Sequence, residues 1–197
     1  MKFWTVQTKD VIEIIQEKGV YQPDFNNSRY LHINKNLSDL YSIILHSFNQ
    51  INKKDLPGVI FAFAKNDNNR ICSIKTIEEF KEFIKSKHAV IEGFWKQLDK
   101  DNSMIIELNY EDNFNPIFID MNDFQFLMPP IMLLPPYTAE SINRILEDIT
   151  QGQICVSEFP SYVIQAHLPY IEKRNVINIY PMFELNDNGK LEFSHNP

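Results

Sequence analysis

Five carboxylates are grouped in the second half of the sequence, on two predicted strands and the turn that joins them: Glu107, Glu111, Asp112, Asp120 and Asp123. If the two strands pair, Glu107 and Asp120 approach each other, and paired carboxylates can bind a divalent cation or share a proton. The stretch DKDNSMIIELNY is not an EF-hand loop, because Tyr110 stands where the bidentate glutamate belongs. We expect a solvated acidic edge, with Glu107 and Asp120 as the candidate metal ligands.

The segment FQFLMPPIMLLPPYTAE is a second candidate site, rich in methionine, leucine and proline. Its two proline pairs exclude a central strand or a helix. Such a segment can form an adaptable apolar surface for a partner or a ligand, with Met128, Leu133 and Tyr137 as the binding residues. The alternative is a loop that lines the core, since a bare apolar patch of this length would promote aggregation.

The motifs of several well-marked chemistries are missing from the sequence. Its five glycines form no phosphate-binding loop, and neither G-x-S-x-G nor H-E-x-x-H occurs. The five histidines are scattered; His46 and His167 fall in predicted helices, and we interpret them as structural or surface residues. Cys72 and Cys155 have neither metal-ligand spacing nor a nucleophile signature, which favours buried thiols in a reducing compartment.

Composition and charge set the class of protein. With 197 residues and a hydrophobic fraction of 44%, the chain can bury a full core. No apolar run is long enough to span a bilayer and no secretory signal is recognisable, so we expect a soluble cytoplasmic protein. The net charge of −7 is uneven, +3 over residues 1–100 and −10 over residues 101–197. Nucleic-acid binding by the acidic half is therefore unlikely, because phosphate contacts need cations, and we expect the partner to be another protein.

The opening stretch, MKFWTVQTKDVIEIIQEKG, predicts a strand, a capped helix and a stop. Lys2–Gln7 alternates apolar and polar side chains, as a half-buried strand does. Thr8 can cap the helix, whose Val11, Ile14 and Ile15 share one face. Gly19 stands where a left-handed C-terminal cap is expected.

The rest of the chain mixes helices and hairpins. Helices are predicted from Asn36, from the capping box that starts at Thr76, after Thr138, and briefly from about Ser161 until Pro169 ends it. Hairpins are predicted around 66–69 and 186–189. The pattern predicts an α+β fold, a mixed and largely antiparallel sheet with several packed helices, in one domain over residues 1–197.

The stretch FWTVQTKDVIEIIQEKG resembles the start of an uncharacterised family of bacterial proteins of roughly this length that open with a W-T-[IV]-Q motif. LPGVIFAFAK and the pair IIELNY…FIDMNDF are similar to that family's proline–glycine strand and its strand–acidic–strand segment. The family has no assigned reaction, so this resemblance implies no catalytic residues.

The same opening unit also resembles, more distantly, the first strand and helix of the ADP-ribosyltransferase fold, which binds NAD beside that strand. Counting back from Gly19, Trp4 stands at the family's aromatic position and Thr5 at its histidine position. Threonine lacks the imidazole that orients the nicotinamide ribose in that family. The chain departs from the family pattern at this key residue.

Other positions can be matched to the NAD site by the same resemblance. Gln7 and Arg29 would supply polar contacts, and Tyr30 an aromatic wall. Glu158 lies late in the chain, as the family's catalytic glutamate does, and would hold the ribose 2′-hydroxyl and stabilise an oxocarbenium-like transition state. The resemblance therefore implies NAD as the cofactor of an alternative, enzymatic function.

Two functional hypotheses follow from the sequence. The leading one is a non-catalytic interaction or ligand-binding protein, a small regulator or inhibitor of a larger partner, with no cofactor predicted. The alternative is an ADP-ribosyltransferase-like enzyme or a degenerate NAD-binding relative. The alternative needs Glu158 to converge with Trp4, Gln7 and Arg29 around an open cleft, whereas a binding protein needs an exposed surface near residues 126–137.

Overall fold

The computed structural model of the chain describes residues 1–28, 35–86, 103–111, 114–120, 138–151, 160–185 and 191–193.

The described residues contain four α-helices and eleven strands, which we number in chain order. The helices are α1 (Lys9–Lys18), α2 (Lys35–Asn52), α3 (Ile77–Ser86) and α4 (Ala139–Gln151). The strands are β1 (Lys2–Gln7), β2 (Val20–Tyr21), β3 (Ile60–Asp67), β4 (Arg70–Cys72), β5 (Met104–Asn109), β6 (Ile117–Asp120), β7 (Val163–Leu168), β8 (Ile171–Glu172), β9 (Val176–Pro181), β10 (Phe183–Leu185) and β11 (Leu191–Phe193). Helices beside largely antiparallel strands confirm the predicted α+β class.

The chain divides into two compact units. The first unit comprises Met1–Tyr21, Ser73–Glu111 and Ile171–Pro197, and the second comprises Gln22–Cys72 and Asp112–Tyr170. The expectation of one domain over the whole chain stays a prediction. Among the helices that the structure describes, none has the length and apolar character needed to cross a membrane.

The sheet of the first unit has β5 in its centre, antiparallel to β1 on one side and to β9 on the other. Trp4 of β1 lies opposite Glu107 of β5, and Glu107 lies opposite Asn178 of β9. Residues directly opposite each other share a face of a sheet. Trp4, Glu107 and Asn178 therefore lie on the same face of this sheet.

The predicted opening unit is confirmed in its boundaries. Gly19 ends α1 with φ +79°, and its N–H donates to the carbonyl of Ile15 at 3.0 Å. Thr8 occupies the N-cap position, but its side chain makes no capping hydrogen bond. The buried face of α1 consists of Val11, Ile12 and Ile15, so Ile12 takes the place predicted for Ile14.

The sheet of the second unit runs in the order β6, β7, β3, with β4 paired to the far end of β3. The hairpin predicted between β3 and β4 is confirmed. Asn68 and Asn69 form its turn with φ values of +51° and +62°. Positive φ at both central residues is typical of the type I′ turn that favours asparagine and glycine.

The core of the second unit lies between this sheet and helices α2 and α4. It contains the fully buried residues Ile44, Phe48, Val59, Ile117, Ile119 and Ile149. Ile44 and Phe48 come from α2 at a spacing of four, as the predicted core-facing helix requires. The helical periodicity of residues 36–51 therefore predicted this packing correctly.

The short helix predicted from Ser161 is wrong: residues 163–168 form strand β7. Each residue of β7 is buried, and the strand lies inside the sheet between β6 and β3. A strand buried on both faces lacks the alternation of apolar and polar residues that identifies a half-buried strand. His167 is accordingly a strand residue, whereas His46 lies in α2 as predicted.

Two other local predictions are confirmed with small differences. Thr76 caps α3 by accepting the N–H of Glu79 at 3.3 Å, but the Glu79 carboxylate binds the N–H of Lys75 at 2.8 Å instead of completing the box at Thr76. The last hairpin pairs β10 with β11, with Leu185 opposite Leu191. Its predicted turn at 186–189 lies outside the described residues.

Gly58 is required where two loops of the second unit meet. A Cβ at this position would lie 2.7 Å from the backbone oxygen of Pro23 and 2.9 Å from Cδ1 of Phe25. We expect Gly58→Ala to lower the free energy of unfolding by about 1–3 kcal/mol, because backbone must shift to admit the methyl group. Urea denaturation measures the loss. Gly19→Asn is the control, at a left-handed position with no atom within 4 Å, and should cost less than about 1 kcal/mol. Equal midpoints for Gly58→Ala and the wild type would contradict the close approach.

Candidate functional site

Trp4, the aromatic residue matched to the NAD site, lies in the core of the first unit. It is 1% exposed, and its indole N–H donates to the carbonyl of Ile74 at 2.9 Å. Its ring stacks on Phe80 of α3 with centroids 5.3 Å apart, and on Tyr180 of β9 at 6.0 Å. These contacts give Trp4 a structural role and leave almost none of its surface for a ligand.

The polar residues matched to the same site are placed as follows. Thr5 is fully buried, and Gln7 donates its amide N–H to the Thr5 hydroxyl at 2.8 Å. Arg29, Tyr30 and Glu158 lie outside the described residues. The structure therefore leaves NAD binding as a prediction from the resemblance.

Glu107 is the centre of a small polar cluster on the face that Trp4 shares. It is 4% exposed, and its Oε1 lies 2.6 Å from Nζ of Lys2, while its Oε2 accepts the amide N–H of Asn178 at 2.8 Å. Burial and the negative charges of Glu107 and Glu78 raise the pKa of Tyr180, which lies beside this cluster. Each oxygen of the Glu107 carboxylate thus has a partner within the fold, and its charge is balanced by Lys2.

Asp120 occupies a different environment from Glu107. It is fully buried at the end of β6, and its Oδ2 accepts the backbone N–H of Ser161 at 2.8 Å. The strand pairing on which the joint metal site depended is absent from the described sheet, since β5 pairs with β1 and β9, and β6 pairs with β7. Within the described ranges, no group of three or more His, Cys, Asp or Glu is arranged to hold a metal ion.

The predicted partner surface at Met128, Leu133 and Tyr137 lies outside the described residues. A depression of about 350 Å³ lies along α4, lined by Asn143, Leu146, Glu147, Thr150 and Gln151. Within the described part of the chain, its lining comes from that single helix. Such a lining lacks the convergent polar groups from several elements that mark a ligand site.

His167 is a buried residue that the sequence did not single out as important. It is 0% exposed, its Nδ1 lies 3.1 Å from the carbonyl oxygen of Ile117, and its ring meets the Phe61 ring edge-on at 5.0 Å. Because a carbonyl oxygen can only accept, Nδ1 carries the proton and Nε2 is an acceptor. Burial lowers the pKa of His167 to about 4, so the ring is neutral at pH 7.

Gln165, two residues before His167 on β7, shares its face of the sheet. Among the residues that the structure describes, neither Oε1 of Gln165 nor Nε2 of His167 has a hydrogen-bond partner. Buried acceptors without a donor are costly. No periodicity in the sequence distinguished this polar pair from the apolar run around it.

Strand β9 is the exposed feature of the first unit that sequence reasoning missed. Its residues are exposed or half-buried along the whole strand, and Ile177 and Ile179 are 42% and 36% exposed. On β5 beside it, by contrast, residues 105–108 are all buried. The hairpin predicted around 186–189 included VINIYP in its first strand, but no local signal indicated that this strand would lie at an edge.

Among the described residues, the geometry thus offers the bonded carboxylates Glu107 and Asp120, the unpartnered acceptors of Gln165 and His167, and an exposed apolar strand at β9. The chain has no significant match among known protein-family models, curated proteins or solved structures.

Proposed function

We propose that this protein is a non-catalytic interaction protein, a small regulator or inhibitor that binds a larger protein partner through strand β9. The observation that carries this proposal is the exposure of Ile177 and Ile179 on a strand whose neighbour in the sheet is buried.

The exposed isoleucines favour a partner over a solvated surface. Single exposed apolar side chains are common on soluble proteins and need no explanation. Here two β-branched residues lie two positions apart on one edge strand, and Ile179 lies on the opposite face of the sheet from Tyr180. Apolar side chains grouped in this way are typical of interaction surfaces, because covering them removes apolar area from water.

The contacts of the ionisable residues support a non-catalytic role. A catalytic carboxylate needs to reach a substrate, whereas Glu107 is held by Lys2 and Asn178, and Asp120 by the backbone of Ser161. Each contact ties together segments far apart in the chain. The contacts of Glu107 and Asp120 therefore stabilise the fold of the unit in which each residue lies.

The experiment compares partner capture by the wild type and by the double variant Ile177→Ser, Ile179→Ser. We expect a protein retained from cell extract by the wild type to bind the double variant at least about tenfold more weakly, since burying each isoleucine contributes about 1–2 kcal/mol. Binding of the purified partner is then measured by calorimetry. Val20→Ser is the matched control, because Val20 is 40% exposed on β2, elsewhere in the first unit.

Equal affinities for the double variant and the wild type would overturn the proposal. A thermal-shift titration with NAD addresses the alternative function on the same samples. A ligand present at 100 times its dissociation constant stabilises a protein by about 2.7 kcal/mol. A clear rise in melting temperature with NAD that Glu158→Ala abolishes would favour the transferase hypothesis instead.

A further inference from the structure

The free edge of β9 is the feature from which the mode of binding can be inferred. β9 pairs antiparallel with β5 from Met104 opposite Pro181 to Leu108 opposite Val176. In an antiparallel ladder, alternate backbone groups point to the neighbouring strand and the others point away from it. Among the described strands, β5 is the one that pairs with β9, so no second described strand takes up the outward groups, and these are the groups to which an added strand would bind.

Two irregularities limit how much of this edge can pair. The register shifts between Glu107 and Leu108, so that Glu107 lies opposite Asn178, Leu108 lies opposite Val176, and Ile177 forms a bulge between them. At the other end, Pro181 has no N–H to donate. Bulges and prolines are the devices that protect natural edge strands from open-ended association. They leave 178–180 as the regular part of the edge.

The same irregularities disfavour a second copy of this chain as the occupant. Antiparallel pairing of β9 with itself about Ile179 would place the Ile177 bulge opposite Pro181 of the copy, and would do so at both ends of the ladder. A partner segment that contains neither a bulge nor a proline would meet the Ile177 bulge once and Pro181 once. The edge therefore fits a foreign strand better than its own copy.

Charge defines the chemistry of that strand further. Residues 176–181 contain no charged side chain, so the part of the bound segment that lies beside them needs no charged residue. In the single 3-10 turn that precedes β9, Lys173 is exposed, whereas the neighbouring Arg174 is paired with Glu172. In an antiparallel arrangement, the C-terminal end of the bound segment passes Lys173, and an acidic residue there would be attracted to it.

We propose that β9 binds an extended segment of the partner protein as an added antiparallel strand. The segment has β-branched residues at alternate positions and an acidic residue at its C-terminal end. This inference rests on the proposed function, because it specifies how the partner of β9 is held. Backbone hydrogen bonds supply the affinity of such an added strand, and the alternate side chains supply its specificity.

The test uses a synthetic peptide of alternating threonine and isoleucine that ends in aspartate. At millimolar peptide we expect the outward amides of 178–180 to exchange with solvent about tenfold more slowly, as measured by NMR. Two further peptides carry N-methyl groups on alternate amides, one set on each edge of the peptide. One set blocks the hydrogen bonds to β9 and should abolish protection, whereas the other set should leave it intact.

Charge exchange provides the matched control for the orientation. Lys173→Glu should weaken binding of the aspartate peptide and strengthen binding of a peptide that ends in lysine. Absence of protection, equal binding of both N-methylated peptides, or no response to the charge exchange would each overturn the added-strand inference. Protection that rises with protein concentration alone would favour a second copy. Failure of the proposed function is distinguishable, because it would appear as partner capture that Ile177→Ser, Ile179→Ser leaves unchanged.

Discussion

Replacement of Trp4 by alanine is expected to lower the free energy of unfolding by about 3–5 kcal/mol, as is usual when a buried tryptophan is truncated. The loss has three physical sources. The stack of Trp4 on Phe80 disappears, the carbonyl of Ile74 loses the indole donor, and a cavity forms at a position that is 1% exposed. Urea denaturation with linear extrapolation measures the change.

Trp4→Phe separates these contributions. It keeps an aromatic ring beside Phe80 but leaves the Ile74 carbonyl without its donor, so we expect an intermediate loss of about 1–3 kcal/mol. Val20→Ala is the control, because Val20 is 40% exposed and its truncation should change stability by less than about 0.5 kcal/mol. A loss below about 1 kcal/mol in Trp4→Ala would contradict a core role. If NAD affinity fell in a variant whose stability was unchanged, Trp4 would instead be assigned to a ligand site.

Acidification is expected to destabilise the protein through His167. Burial lowers the pKa of this residue to about 4 in the folded protein, against about 6.5 in the unfolded chain. Between these values the unfolded state binds a proton that the folded state does not, so stability falls as pH falls from 6.5 towards 4. At about 1.4 kcal/mol per pH unit, acidification from pH 6.5 to pH 4 lowers the free energy of unfolding by about 3 kcal/mol. Above pH 7 the contribution of His167 to stability no longer changes with pH.

The measurement is the difference in unfolding free energy between the wild type and His167→Gln from pH 8 to pH 4 (urea denaturation). Glutamine does not titrate, so its profile should lack the His167 contribution. Its amide nitrogen corresponds in position to Nε2 rather than to Nδ1, so any loss of the hydrogen bond to Ile117 is an offset that does not change with pH. The carboxylates are the same in both proteins, so their contribution to the pH dependence cancels when the two unfolding free energies are subtracted. His46→Gln is the matched control, because His46 is exposed on α2 and should follow the wild type. Parallel profiles for the wild type and His167→Gln would contradict the expectation.

Much of the fold could be predicted because its signals are local. The strand, helix and glycine stop of residues 2–19, the core-facing helix α2, and the asparagine turn at 68–69 each depend on contacts between neighbours in sequence. Periodicity, capping and positive φ are properties of short segments, and the order of helices and hairpins was enough to predict the α+β class.

The candidate site was predicted less well, because its residues depend on distant partners. Glu107 was singled out for its charge, but its partners Lys2 and Asn178 are 105 and 71 residues away in the chain. Trp4 was matched to a cofactor position by resemblance, whereas its contacts with Phe80 and Ile74 place it in the core. Residue type indicated where polar chemistry was possible, and only tertiary contacts indicated how each group is used.

The sequence alone determined the helices, strands and turns whose side-chain spacing and backbone preferences are distinct, such as β1, α1, α2 and the turn at 68–69, but not β7. The tertiary structure decided which strands are neighbours. The pairing of β7 with both β6 and β3 places it inside the sheet, and the burial of all six of its residues removes the alternation by which a strand is recognised. The position of β9 beside β5 alone, among the described strands, leaves Ile177 and Ile179 exposed. The physical reason is that strand order depends on packing between segments remote in the chain, which no local pattern encodes.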